Sequence, residues 1–336
     1  MTAADAVDVM TDPSSGERAT RYNKGHVPVM ATAAISALAP ERGGLFVDAT
    51  YGRGGHAHAL LDSLPADARV IALDQDPDAA AVAAQHVQDD PRLVFEPANF
   101  ADLDAVLGRL GLGCGVNGVL FDLGVSSPQL TSAERGFSLR YPGPLDMRMN
   151  PGVGQPLAEW LARVDIATLA RVIRRYGDES QADRIARAII AARNAGRLRD
   201  SGDLANVVAE AVPARVARGR STHPATKTFN ALRVQINDEL GALKTGLDAA
   251  IRALLPGGRL VVISFQSQED RLVKRALRDQ AKPRQAPLPM ADEVPPSLEL
   301  LGKPIKPDDT EIAANSRARS AIMRIARRTE YPVITP

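Results

Sequence analysis

Short apolar runs recur along the first third of the chain, with helix-spaced stretches between them. Leu45-Phe46-Val47, Val70-Ile71-Ala72-Leu73, Leu93-Val94-Phe95 and Val119-Leu120-Phe121 have the length of buried strands. Between them Ala57–Leu64, Ala79–Val87 and Leu103–Leu110 carry apolar positions at helical spacing. Short buried strands alternating with helices predict a parallel sheet covered on both faces, an α/β fold. The next run of this kind is Leu260-Val261-Val262-Ile263, after Leu254-Leu255 and a Pro256-Gly257-Gly258 turn. About 135 residues separate it from the fourth run, where a crossover with its helix needs about 30. The excess predicts an insertion, and its residues are helical: Ile185, Ala188, Ile189 and Ala192 repeat at i, i+3, i+4, i+7. Asp183 and Arg187, one turn apart on the other side, predict a supporting ion pair. Residues 283–307 hold seven prolines and predict a long loop, and Ser320–Ala326 alternates like a last strand.

The expected organisation is therefore a disordered leader over 1–22, a discontinuous sheet domain over 23–132 and 224–336, and a helical insertion over 133–223. No uncharged apolar run approaches the ~18 residues a spanning helix needs. With no basic-then-apolar N-terminal segment, the default expectation is a cytoplasmic protein with no membrane contact. The single cysteine, Cys114, excludes an internal disulfide framework and a Cys-rich zinc site. The net charge of +1 hides an asymmetry. Residues 1–132 carry 8 Lys and Arg against 17 Asp and Glu, a balance of −9; residues 133–336 carry 33 against 23, a balance of +10. Such a split points to a polyanion meeting the second part of the chain, although two solvated faces of opposite sign give the same arithmetic.

Chemistry concentrates at the ends of the strands. Asp48-Ala-Thr-Tyr-Gly52-Arg-Gly54-Gly55-His56 follows the first run, where glycines allow a sharp turn and close backbone approach to a ligand. Asp74 ends the second run, placed to hydrogen-bond ribose hydroxyls. Gly52-x-Gly54-x-x-Ala57 also fits the dinucleotide fingerprint, so an NAD-dependent oxidoreductase is one reading. Asp48 argues against it: a carboxylate there suits a cofactor carrying positive charge, such as S-adenosylmethionine, and sits poorly beside a pyrophosphate. The segment Leu255-Pro256-Gly257-Gly258-Arg259-Leu260 is similar to one frequent in Rossmann-like methyltransferases. His56 and His58 have no third ligand to complete a metal site, so none is expected.

The strings DATYGRGGH, DLGVSSPQL, ERGFSLR, GPLDMRM, HPATKTFNALR, ISFQSQEDR and RARSA run in order from His26 to about Arg327. Together they resemble the bacterial 16S rRNA (cytosine-N4) methyltransferase family, RsmH (formerly MraW). The resemblance implies a Rossmann-like class I methyltransferase sheet with an inserted helical, RNA-recognising subdomain, S-adenosyl-L-methionine as cofactor, and 16S rRNA of the small ribosomal subunit as substrate. Its cofactor contacts fall on Gly54, Gly55, His56, Asp74, Phe100, Asp122 and Gln129. Of these, Phe100 read by itself is a core residue. The chain departs from the family where Gln266 replaces a histidine, Gln268 a leucine, Asn230 a glutamine and Ser316 a proline.

The N4 amine of cytosine is a poor nucleophile because its lone pair is delocalised into the ring. Asp122, with Ser127 and the Gly124–Ser127 backbone, is expected to accept its hydrogens. Arg220, His223, Lys227, Asn230, Arg233 and Gln266 are expected at the substrate RNA, with Arg215 and Arg218 as further phosphate-contact candidates; Arg317 and Arg319 are weaker ones. The loss of the family histidine at 266 keeps one further reading open, a ribosome-assembly factor that binds RNA and cofactor without turnover.

Overall fold

The computed structural model describes residues 28–113, 115–283 and 294–333. The expected leader, His26, Cys114 and part of the Pro-rich segment lie outside them. The strands are β1 (Leu45–Asp48), β2 (Arg69–Leu73), β3 (Leu93–Glu96), β4 (Val116–Asp122), β5 (Leu254–Ser264), β6 (Leu298–Leu300) and β7 (Ile322–Arg328). They form one sheet of order β3-β2-β1-β4-β5-β7-β6. β1 to β5 pair in parallel, and β7 runs antiparallel to both β5 and β6. The last strand starts two residues later than its alternation suggested, because Ser316–Ser320 winds into a 3-10 turn. The segment expected to be one long loop contains β6, and Ile305 bridges Met323, so its end is stitched to the sheet edge.

The helices are α1 (Ala31–Leu38), α2 (Gly55–Ser63), α3 (Pro77–Asp89), α4 (Leu103–Arg109), α5 (Ser127–Thr131), α6 (Leu157–Arg163), α7 (Ile166–Gly177), α8 (Ala182–Asn194), α9 (Ser201–Ala211), α10 (Ala214–Arg218), α11 (Thr226–Ile236), α12 (Glu239–Ala253), α13 (Ser267–Gln280) and α14 (Asp309–Ala314). Several begin as the sequence dictates. Asp165 and Asp200 accept the Thr168 and Asp203 N–H groups at the starts of α7 and α9, at 2.7 and 2.8 Å.

Successive side chains of a strand point to opposite faces, so each short run feeds two cores. Phe46, Val70, Ala72, Leu120, Val261 and Ile263 pack beneath α1, α2 and α3. Val47, Ile71, Leu73, Val119, Phe121 and Val262 pack beneath α4, α12 and α13. A third core belongs to the insertion, where Leu161, Leu169, Ile173, Ile185, Ile189, Leu204 and Val208 meet. It reaches past residue 223: Phe229 and Leu232 of α11 belong to it, so the sheet domain resumes near α12. Asp183 does not pair along its own helix with Arg187. Its carboxylate meets Arg174 of α7, which pins the two helices together.

This topology sets where a ligand can sit. The order reverses between β1 and β4, and the crevice beyond the carboxyl ends of strands at such a switch point is the ligand site of open α/β sheets. Among the described residues no helix is long and apolar enough to cross a membrane.

Within the insertion Arg220 pairs at 2.8 Å with Glu179, whose side chain is fully buried. Removing one partner of a buried pair strands the other charge, at a cost of about 3–5 kcal/mol. Arg220→Ala should therefore lower the calorimetric melting temperature clearly, and Arg220→Ala with Glu179→Gln should recover part of the loss. An unchanged melting temperature would contradict the structural role of this arginine.

Candidate functional site

A cavity of about 330 Å³ opens at the switch point. Two aspartates line it, Asp122 at the end of β4 and Asp74 just past β2, while Asp48, which ends β1 between them, lies buried behind the wall. Asp48 is fully buried and Asp122 half-buried. Asp48 Oδ1 accepts the Thr50 N–H at 3.1 Å, while Asp48 Oδ2 and Asp122 Oδ1 are buried without a hydrogen-bond partner. Burial raises all three carboxyls, Asp48 and Asp74 to about 6 and Asp122 to about 7.

The cationic counterweight is weak. His56 Nε2 lies 2.9 Å from the Val29 carbonyl, an acceptor only, so that nitrogen carries the proton. Its Nδ1 faces Asp122 Oδ2 at 3.6 Å. Burial lowers the imidazole, favouring its neutral form. A neutral imidazole then turns a lone pair toward a carboxylate, and the cluster keeps surplus negative charge.

The glycine loop is held against this cluster from behind. The Gly52 N–H donates to Asp74 Oδ2 at 2.7 Å and the Asp76 N–H to Asp74 Oδ1 at 2.9 Å, so Asp74 fastens the loop to the end of β2. Gly54 is left-handed (φ 80°), and a Cβ there would come within 2.7 Å of the Tyr51 hydroxyl. It does not line the cavity; it lets the chain turn so that Gly55 and His56 do. Tyr51 hydrogen-bonds His86 Nδ1 at 2.6 Å, and His58 Nε2 lies 2.9 Å from the same nitrogen. His58 thus faces away from His56, and no group of three or more metal-ligating side chains is present among the described residues. Neither Tyr51 nor His86 could be found from spacing, since the cluster forms only when α2 and α3 pack together.

Phe100 lines the cavity from the 3-10 turn Phe100–Asp102, edge-on to Phe121 at 5.6 Å, offering an apolar flank for a planar ring. Gln129 and Ser127 line it too, but both are partly committed. Gln129 accepts the Ser126 N–H at 2.9 Å and donates to Asp76 Oδ2 at 2.6 Å, so it holds the β4–α5 loop and keeps one N–H for a ligand. The Ser127 hydroxyl accepts from Arg317, a weak sequence candidate that the fold brings to the cavity wall. Asp76 also receives Arg135 Nη1 at 3.0 Å, and Arg135 Nη2 donates to the Met149 carbonyl at 2.8 Å. That ties GPLDMRM to the sheet and puts Met149 in the lining.

The residues expected at RNA divide. Gln266 lines the cavity at the N-cap of α13, where it forms a capping box with Glu269. Arg233 lines it as well, but not as an exposed phosphate contact. Its guanidinium is buried, bidentate on Glu239 at 2.7 and 2.8 Å, with Glu269 at 3.8 Å. Burial pulls against its charge, and the two glutamates outweigh that and hold the guanidinium above its usual value. Arg220 is spent on Glu179. His223 and Lys227 are exposed and Asn230 half-buried, all outside the cavity wall; Lys227 Nζ donates to the Asp178 carbonyl at 2.9 Å.

Two aspartates on the wall and a third buried just behind it, with a neutral imidazole between them, fit a ligand bearing a cation and N–H or O–H donors. S-adenosylmethionine offers both, as ammonium and sulfonium. The buried Asp48 would favour its charged end from behind the wall, Asp74 has lone pairs left for ribose hydroxyls, and Phe100 would flank the adenine. A pyrophosphate in the same place would face the carboxylates.

Comparison with known proteins agrees. The model of the MraW methylase family matches residues 23–329. The chain is 52% identical over 307 residues to ribosomal RNA small subunit methyltransferase H of Azoarcus sp. (strain BH72), covering 90% of this chain and 96% of that protein. It is 50% identical over 312 residues to the protein of that name from Nitrosococcus oceani, covering 91% and 98%. With its counterpart from Xanthomonas oryzae pv. oryzae (strain PXO99A) the identity is 47% over 311 residues, covering 92% and 90%.

The cluster generates a linked pair of predictions. A cation binds the ionised carboxyls, so S-adenosylmethionine affinity should rise as pH increases from about 5.5 to 7.5. Asp48 folds with a raised value, so its contribution to stability is complete below about 4 and is lost as pH rises through about 6. Asp48→Asn should therefore raise the melting temperature of the ligand-free protein at pH 8 while weakening the cofactor. A variant that loses stability at pH 8 would mean that the carboxylate serves the fold instead.

Proposed function

The chain belongs to the MraW methylase family, and from that premise we propose that it transfers the methyl group of S-adenosylmethionine to N4 of a cytidine in the 16S rRNA of the small ribosomal subunit. One observation carries the assignment of the acceptor side: the Asp122 carboxylate and the Gln266 amide, carried by the neighbouring strands β4 and β5, line the same cavity. Cytosine displays an N4 donor beside N3 and O2 acceptors. A carboxylate at one end and an amide at the other complement that edge.

Bound S-adenosylmethionine supplies an electrophilic methyl group. What the protein adds is alignment and a place for charge. The Asp122 carboxylate accepts an N4 hydrogen, which draws the nitrogen lone pair out of conjugation, and then takes the proton that N4 sheds. Thr50 holds the strand end that carries it, its hydroxyl accepting the Asp122 N–H at 2.7 Å. A carboxyl raised to about 7 is balanced between accepting and releasing that proton near neutrality. In the Gln266–Glu269 capping box the amide oxygen turns to the helix, leaving the NH₂ end to donate to N3 or O2. Gln266 cannot act as an acid or base, so proton handling rests with Asp122.

A cytosine paired within a duplex cannot enter such a cavity, so the target base is single-stranded or turned out of its helix. The helical insertion serves as the RNA-recognising part, with exposed Lys227 and His223 among its phosphate contacts. The place of work follows from the substrate: the cytoplasm, where bacterial small subunits assemble.

The test uses labelled S-adenosylmethionine and small subunits lacking the modification, with digestion to nucleosides. Label is expected in N4-methylcytidine, and Asp122→Asn is expected to lower turnover about 10²–10⁴-fold at saturating cofactor. At subsaturating cofactor, wild-type turnover should climb as pH rises through about 7, since only the ionised carboxyl accepts the hydrogen and the free protein sets its value. Unlabelled RNA with intact cofactor binding would favour a non-catalytic binding protein. An unaffected Asp122→Asn variant would remove the carboxyl from the chemistry.

A further inference from the structure

The turn that carries Gln266 is gripped from two sides by side chains outside the sheet strands. On the inside, the Glu269 carboxylate accepts the Phe265 and Gln266 N–H groups at 2.9 and 3.0 Å, and Arg233 of α11 stands 3.8 Å from that carboxylate. Arg233 is itself fixed by both oxygens of Glu239. On the outside, Ser267 Oγ donates to Asp178 Oδ2 at 2.7 Å and Gln268 Nε2 to Asp178 Oδ1 at 2.9 Å. Asp178 is the left-handed C-cap of α7 (φ 47°), and its carbonyl takes Lys227 Nζ at 2.9 Å. The two gripping groups, Asp178 and Arg233, therefore both come from the helical insertion.

We propose that the insertion sets the position of the target-base pocket through these two carboxylate contacts, which makes Asp178 and Arg233 positioning residues acting through Gln266. The inference rests on the reading that Gln266 meets the cytosine edge. Gln268 adds to the grip, since its amide donates to the same carboxylate as the Ser267 hydroxyl and so fixes two consecutive residues after Gln266. An amide orients a base only by geometry, so its backbone has to be held. The Asp178 contacts are exposed, so their loss loosens the turn without opening a core.

The test measures turnover, cofactor affinity and melting temperature for Asp178→Ala, Asp178→Asn, Gln266→Ala and the Asp178→Ala/Gln266→Ala pair in the full-length protein. Asp178→Ala should lose about tenfold in turnover, the scale of a misplaced positioning group, with cofactor affinity unchanged and only the small fall in melting temperature that alanine at a left-handed position brings. Asp178→Asn should keep most of the activity, since its Oδ1 still accepts from Gln268 and its amide can donate to the Ser267 hydroxyl. In the double variant Asp178→Ala should add nothing to the loss caused by Gln266→Ala, because both act on one contact. Wild-type turnover in Asp178→Ala beside an impaired Gln266→Ala would overturn the positioning role, as would losses that multiply. An unimpaired Gln266→Ala would instead overturn the placement of the base at Gln266, and the positioning role with it.

Discussion

Three neighbouring parallel strands bring an aspartate each to one end of the sheet, Asp74, Asp48 and Asp122 in sheet order; Asp74 and Asp122 line the cavity and Asp48 lies buried behind its wall. Nothing in the folding of a sheet calls for this. Buried carboxyls repel one another and lose hydration, and a single imidazole with a lowered value does little to offset them. The arrangement makes sense as a site held ready for a positive ligand. The remaining features follow from that requirement. Asp74 is partly satisfied by the Gly52 and Asp76 N–H groups, which shape the loop around it. Asp48 Oδ2 and Asp122 Oδ1 stay buried without a hydrogen bond behind the cavity wall.

A second hub joins the sheet to the insertion. Asp76 caps α3 and collects Gln129 and Arg135, while Arg135 and Asn237 together grip the Met147–Met149 backbone. One carboxylate thereby sets the β4–α5 loop, the start of the insertion and one wall of the cavity. The two parts of the chain share the site instead of meeting at a passive seam. That sharing suits an enzyme whose small cofactor lies on the sheet while its large substrate has to be brought to the same point.

Much of this was legible in the residues. Apolar runs gave five strands, and the spacing of Asp48, Gly52 and Asp74 placed the crevice, because strand ends and glycine turns are local features. The insertion was visible as excess length. What escaped depends on partners distant in sequence. Arg233 and Arg220 look like phosphate contacts in a row of basic residues, yet each is neutralised by a glutamate that only the fold brings near. Asp183 chose Arg174 across a helix pair over Arg187 on its own helix for the same reason. The Tyr51–His86–His58 cluster and the partial commitment of Gln129 and Ser127 have no signature in spacing at all.

The central claim, that the strand-end aspartates are a cation site kept partly protonated until the ligand arrives, is tested most directly by counting protons. Titration calorimetry of S-adenosylmethionine binding at pH 6.5, repeated in buffers of different ionisation enthalpy, gives that count. Carboxyls raised to about 6 and 7 should release about one proton per bound cofactor, and S-adenosylhomocysteine, which lacks the sulfonium, should release fewer. Binding with no proton released, or equal release for both ligands, would contradict the account.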